Sequence, residues 1–588
     1  MQGKIILPVV LAATGLLLWG CLSREARMER IARHMIDRYE KNTRDLSVRY
    51  NEALWKVMKG GSKEDYEAFV KVGMEQMVTG PGNASREQAA LEFYGKKLDL
   101  VFEDIEGLET VSTLLRSGEI SDESLQRQLE LLYLHLLNRQ SNVREKEELF
   151  RQDLKIMQDF PQFIPFFRGE KVSEGSLYSI LYNSVNSDAL EEAWSSLMSF
   201  GEFAAPELIR SVKLRNSIAR QLGYNDYYEL AMAFYEQDPD EVSRLFGSFE
   251  QETRGLYCKV KNYTDSLIML RYGISREEIM PWHYQAKFFT HIPVSFTPPE
   301  FYSLYEGTDL MAATSGFYSR IGLPVDDIME RSGTDSLGNG VNVSFMMNVD
   351  YRGDIRVMVG DAGNPHRNFR FTLHEYAHAV HNKYIDPDIP YLLRMPNLAV
   401  AEAVAVLFER RFYDPYLLQQ TMGVSDSSIN RFITECRPSD EMNHLVYMRF
   451  IYLMSVFERE LFRNPDQDLN ALWYRLMKEV LLIDCPRRHK YPDWAASRHI
   501  FFSHAVVHNY LLADIIASQI QHKVEYDVLS EGASFETGIA GHPELGDYFI
   551  TEIFSNGNCL RWEELIRQAT GEEPGIRYYM EQYSHIPF

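Results

Sequence analysis

The sequence predicts a mainly α-helical fold carrying one small β element. Three observations point there. Apolar residues recur at helical spacing through most segments lying between Gly, Pro and Asn breaks. Acidic and basic residues interleave on the outer faces of those segments, as on solvated helix surfaces. Val341–Val349 and Ile355–Val359 read as a short hairpin around Asp350-Tyr351-Arg352-Gly353-Asp354.

The chain opens with a targeting signature. Lys4 supplies positive charge, Ile5 to Leu18 form an apolar run, and Leu18-Trp19-Gly20-Cys21 closes it. The run is short for a spanning helix. Leu-x-Gly-Cys resembles the bacterial lipoprotein signal, in which residues 1–20 are removed and Cys21 becomes the lipidated first residue. That resemblance implies a membrane tether through a lipid anchor at Cys21 and a location in the bacterial cell envelope. Trp19 is an unusual occupant of such a signal, so a plain signal anchor and an uncleaved apolar terminus stand as the other readings.

Residues 25–58 carry helical periodicity and stop at Gly60-Gly61-Ser62, and Thr79 to Asn83 form the next break. Segments near 86–116, 122–138, 143–158 and 175–200 read as further amphipathic helices. Neither an internal repeat nor a low-complexity linker interrupts them.

The most informative stretch is FRFTLHEYAHAVHNKY, where His374, Glu375 and His378 spell His-Glu-x-x-His. Turn signals at Gly363-Asn364-Pro365 precede it, no Pro or Gly falls between Arg367 and Lys383, and Asp386-Pro387 closes it. On a helix, residues i and i+4 lie one turn apart on the same face. Two imidazoles so placed can bind one Zn2+, and the intervening glutamate is close enough to take a proton from a water activated there.

A catalytic zinc takes three protein ligands and leaves one position open. The metzincin continuation is absent, because His381 and Tyr384 stand where it requires Gly and His. The other option is a glutamate on a second helix. Asn397 is a good N-cap after Pro396, and Glu402 is the only charge from Leu398 to Phe408. A buried carboxylate there needs a partner, and a metal ion serves, as would an Arg or Lys.

With these residues in view, the sequence resembles the angiotensin-converting-enzyme family of zinc peptidases and its bacterial relatives, with the thimet oligopeptidase and oligopeptidase F group more distant. The resemblance rests on His-Glu-x-x-His followed 24 residues later by Glu402 in an EAVA context. It extends through APELIRSVKLRNSIARQLGYNDYYELA (205–231), MPWHYQAKFF (280–289), IGLPVDDIMERS (321–332), NVDYRGDIRVMV (348–359) and YIDPDIPYLLRMP (384–396). PDWAASRHI and HNYLLADIIASQI complete it, so it covers roughly residues 200–525, and residues 25–200 carry no matching motif.

The resemblance implies a helical two-lobed ellipsoid with a deep central channel, zinc on its floor and a strand edge beside it. His374, His378 and Glu402 would bind Zn2+. Glu375 would be the general base and later the proton donor. Tyr510 would hydrogen-bond the developing oxyanion, and His499 would bind substrate or oxyanion. Residues 21–200 would form an N-terminal helical region and 201–588 one peptidase unit, acting as a monomer on short peptides.

The chain departs from the family at the carboxylate anchor. Val506 and Val507 replace a tyrosine pair, and Ser497, beside Arg498, replaces a lysine. The sequence therefore predicts a metallopeptidase acting on short peptides rather than specifically a dipeptidyl carboxypeptidase. A non-catalytic surface lipoprotein binding peptides or glycans is the alternative from another class.

Other residues have bland readings beside functional ones. His381 lies one turn beyond His378, and a packed histidine is the simpler account. Glu409 could orient a ligand histidine, though pairing with an arginine is the simpler reading. His508 matches the family and is a candidate for the cleft, while Trp282, His283 and Tyr284 either line the channel or pack. The five cysteines (21, 258, 436, 485 and 559) show no metal or redox spacing, and a disulfide among the last four is open.

Composition excludes other classes. The 588 residues suffice for a large core, and 45% hydrophobic with 25% charged content is ordinary for a globular chain. A net charge of −23 argues against nucleic acid and against adsorption to anionic lipid, both of which want a basic face.

Overall fold

The structure, a computed structural model, describes residues 23–59, 107–137, 163–293, 304–334, 344–361, 364–484, 491–497, 504–530 and 533–584, with scattered positions between them. The lipoprotein-type signal, Cys21, Cys485, Arg498 and His499 lie outside the described residues. The chain is mainly helical, as its periodicity predicts. Among the described residues, no helix is long and apolar enough to cross a membrane.

Helix α1 (Arg24–Met58) and helix α2 (Glu123–Leu137) match the segments expected at 25–58 and 122–138. The single helix expected at 175–200 is instead two, Glu174–Asn183 and Ser187–Met198. Ser184 adopts an extended backbone and Asn186 caps the second helix by accepting the Ala189 N–H, so local side-chain bonding won over apolar periodicity.

One hydrophobic core holds the body together, with buried side chains from Leu177 through Tyr376, Phe408, Phe457 and Ile516 to Ile566. Helices α1 and α2 share a smaller cluster of their own, which reaches the body through Leu392. A buried Arg127–Glu236 ion pair and the Arg127 Nε–H donated to the Asn558 carbonyl also fasten α2 down. The Trp55 side chain of α1 packs with Met347, Val349 and Met358 of the β element.

That element has three strands, one more than the sequence predicts: β1 (Gly333–Thr334), β2 (Phe345–Asn348) and β3 (Ile355–Val359); a separate two-residue hairpin, Phe166–Phe167 with Glu170–Lys171, is a further β element that the sequence reading missed. The three strands lie in the order β1-β3-β2, with β2 antiparallel and β1 parallel to β3. The register pairs Phe345 with Met358 and Asn348 with Ile355. Asp350 Oδ1 accepts the Arg352 and Asp354 N–H groups in the connecting turn, and Gly353 takes φ +126°, a conformation that favours glycine. Among the described residues, strand β2 lies at the edge of the sheet.

Helix α3 (Pro365–Lys383) starts at Asn364, whose side chain accepts the His366 and Arg367 N–H groups. Phe369, Leu373, Tyr376, Ala377 and Val380 bury its core face, leaving Arg367, His374, Glu375 and His378 on the other side. Helix α4 (Leu398–Glu409) is apolar almost all round and packs between α3 and helix α6 (His508–Lys523), a position that accounts for its composition. Helix α5 (Arg437–Arg463) packs on α6.

Candidate metal centre

Three donor groups converge where α3 and α4 meet. His374 Nε2 and His378 Nε2 stand 3.2 Å apart. Each lies 3.6 Å from a different oxygen of Glu402. All three donor atoms fall within 4.8 Å of one another. Two imidazole nitrogens and a carboxylate so placed could hold a metal ion. The buried Glu402 Oε2 has no hydrogen-bond partner, the orphaned oxygen expected where a cation belongs. The residues fit Zn2+.

Glu409 orients the centre. Its Oε2 lies 3.0 Å from His374 Nδ1. Its Oε1 accepts from Arg370 at 2.8 and 3.1 Å, and Arg370 Nη1 donates to Asp440 at 2.9 Å. Holding the proton on Nδ1 turns the Nε2 lone pair toward the convergence point. The simpler expectation of arginine pairing is therefore half of what Glu409 does.

The electrostatics follow from burial and this network. Burial raises Glu409, but the Arg370 guanidinium and the His374 imidazole outweigh it and hold the carboxyl at about 2. Burial lowers His374, yet the Glu409 hydrogen bond and the nearby Glu375 and Glu402 carboxylates lift it to about 9. The same cluster of carboxylates that favours a proton there favours a dication. His378 is pushed well below its ordinary value by burial, which leaves a neutral imidazole. Burial raises Glu402, and it raises Glu375 to about 7 against the lowering effect of His374.

Tyr510 lies in the first turn of α6 and lines the cavities on both sides of the centre. Burial raises its phenol to about 12, with the Glu402 and Glu375 carboxylates adding to the shift, so its O–H stays a donor.

Two cavities flank the centre. One, of about 820 Å³, is lined by β2, Tyr235, Met395 and the Glu402 face, and on its far wall by Asn51, Leu131 and His135 of α1 and α2. The other, of about 490 Å³, is lined by Arg367, Arg370, His444 and Tyr447. Ser344, His374, Glu375 and Tyr510 belong to both.

Several expectations are corrected or set aside. His508 does not face the cleft: it is fully buried, its Nε2 is 2.7 Å from Gln237 Oε1, and its ring lies among Tyr228 and Tyr235. Two residues of offset on a helix turn its side chain to the side opposite that of Tyr510. His381 packs in the core, stacked on Phe554 at 4.7 Å. Trp282, His283 and Tyr284 are buried, with His283 Nδ1 accepting the Met280 N–H and Nε2 3.0 Å from Ser187 Oγ. Cys258, Cys436 and Cys559 are free thiols.

Asn51, Leu131 and His135 carry no sequence signal, since nothing links them to residues some two hundred to three hundred positions away. Glu409 had one: it stands two helical turns from Glu402 on the same face. No family model matches the chain, and no curated protein matches it.

Proposed function

We propose that this chain is a zinc-dependent peptidase that hydrolyses peptide bonds in short peptides. The observation that carries the reading is the convergence of His374, His378 and Glu402, with the orphaned Glu402 oxygen, beside Glu375 and Tyr510 in a two-sided cleft. Zn2+ held by these three residues supplies the Lewis acidity that activates water and polarises the scissile carbonyl.

The protein's own groups do the rest. Glu375 takes the proton of the attacking water and returns it to the leaving amine. The Tyr510 hydroxyl donates to the developing oxyanion. Edge strand β2 offers backbone pairing to an extended peptide, which holds it largely independently of sequence. His499 stands as a further substrate-binding residue in this reading.

The two cavities join at the centre as one channel between two lobes, with α1 and α2 forming part of the roof. A peptide enters such a channel and a folded protein does not. The anchor at Cys21 places the monomeric enzyme on the bacterial cell envelope, with residues 21–200 as its N-terminal helical region and 201–588 as the peptidase unit.

Metal analysis of purified protein together with cleavage of a quenched peptide library tests this. Expected are one zinc per chain, activity lost with a chelator and restored by zinc, and activity lost in Glu375→Gln while the metal stays bound. Wild-type protein that binds zinc and cuts no peptide would return the assignment to the binding-only alternative.

A further inference from the structure

The smaller cavity holds a cation that the proposed chemistry leaves unused. Apart from Glu375, which the proposed chemistry uses, the carboxylates of its wall are matched. Glu409 and Asp440 share Arg370, and Asp514 is held between Arg410 and His444, with His444 Nε2 2.7 Å from Asp514 Oδ2. Arg367, by contrast, makes no ion pair or side-chain hydrogen bond among the described residues, and its guanidinium lies 5.5 Å from the Phe371 ring centroid. The Tyr447 hydroxyl lines the same cavity without a hydrogen-bond partner among the described residues. Arg367 and Tyr447 line one cavity, and the Arg367 charge reaches Tyr447, where it opposes the upward pull of burial.

Resting on the peptidase reading, we propose that Arg367 and Tyr447 form a subsite for a carboxylate of the substrate, two or three residues beyond the scissile bond on its C-terminal side.

The position follows from geometry. Arg367 precedes His374 by seven residues, two helical turns on the same face. At 1.5 Å per residue that is roughly 10 Å, which an extended peptide covers in about three residues. The side of the bond follows from the edge strand. Ser344, just before β2, lines the smaller cavity, and Phe345 to Asn348 line the larger. A peptide added antiparallel to β2, the commoner ladder, runs from the larger cavity into the smaller. Its C-terminal part then meets Arg367. Guanidinium paired with a carboxylate, with a phenol as second donor, is strong and geometrically selective.

Two sources supply such a carboxylate: the peptide's own C-terminus, or an Asp or Glu side chain. Two peptide pairs separate them. One compares free with amidated C-termini three residues past the cut, and the other exchanges Glu for Gln at the second and third positions of a longer, amidated peptide. Each pair is measured by kcat/KM on zinc-loaded wild type and by fluorescence-polarisation affinity for the zinc-loaded E375Q protein.

The expected result is a preference of about 10- to 100-fold for the carboxylate member of at least one pair, in both readouts. That ratio should fall toward one in R367Q, survive in part in R367K and shrink in Y447F. A preference that persists undiminished in R367Q overturns the subsite, as does a wild type that discriminates within neither pair. If no peptide is cut, the peptidase reading fails, and the affinity ratios still decide the subsite.

Discussion

Glu409 Oε2 sits 3.0 Å from His374 Nδ1, while its other oxygen is held by Arg370, so a single carboxylate ties the candidate metal centre to a buried ionic network. Arg370 is in turn held by Asp440 of α5. The imidazole can neither rotate nor change tautomer without breaking that chain. Glu409→Gln keeps the size but weakens the hold on the Nδ1 proton. Zinc affinity measured by chelator competition should drop by about 10- to 100-fold, with the far-UV spectrum unchanged. Unaltered affinity would show that Glu409 serves packing alone.

Much of this centre was legible in the sequence because its geometry is local. His374 and His378 are one turn apart on one helix, and Glu402 is the lone charge in an apolar helix whose cap, Asn397, was also readable. The hairpin was legible through its turn chemistry. Strand β1 was not, because two residues pairing in parallel with β3 carry no period of their own. The roof was not legible either. Asn51 donates to the Asn348 and Val349 carbonyls across nearly three hundred residues, and only tertiary packing sets such a contact. His508 shows the converse: its place in a motif suggested the cleft, but its helical phase points it into the core.

The Asn51 contact has its own consequence. It caps the carbonyls at the end of β2, and Trp55 one turn later packs beneath that strand. Asn51→Ala removes both hydrogen bonds at a cost of about 1–2 kcal/mol. Faster amide exchange is expected in β2 and the neighbouring turn of α1, with zinc content preserved. Exchange unchanged in β2 would mean that α1 is held by its other contacts.

Glu458 makes stability depend on pH. It is buried in α5, where Oε1 accepts the Ala505 N–H and Oε2 has no partner. Burial raises its carboxyl to about 8 from an ordinary 4.5, against the Ala505 hydrogen bond and the Arg215 charge. In the folded chain it keeps its proton up to about pH 8, whereas in the unfolded chain it loses it near 4.5. Between those values the native state binds more protons, so this contribution is complete below 4.5 and is lost as pH rises through 8. At 1.36 kcal/mol per unit the full effect is of order 5 kcal/mol. Glu458→Gln is expected to be more stable than wild type at pH 8 and to show a flatter Tm profile between pH 5 and 8. Parallel profiles would mean that the carboxyl ionises in the fold at its ordinary value.

Tyr510→Phe separates oxyanion stabilisation from metal binding. The hydroxyl borders both cavities and is a phenol that stays protonated through the neutral range. It contacts none of the three metal donors by a hydrogen bond among the described residues, so its loss should leave zinc affinity in place. The ring remains to fill the space, so folding should be preserved. If its O–H is used only when charge develops on the carbonyl oxygen, kcat should fall by about 100- to 1000-fold while KM changes little. A rise in KM with kcat intact would instead assign the hydroxyl to ground-state binding. A parallel loss of zinc would place it in the support of the metal centre. The KM-against-kcat split on one good peptide, with zinc content measured on the same preparation, distinguishes the three.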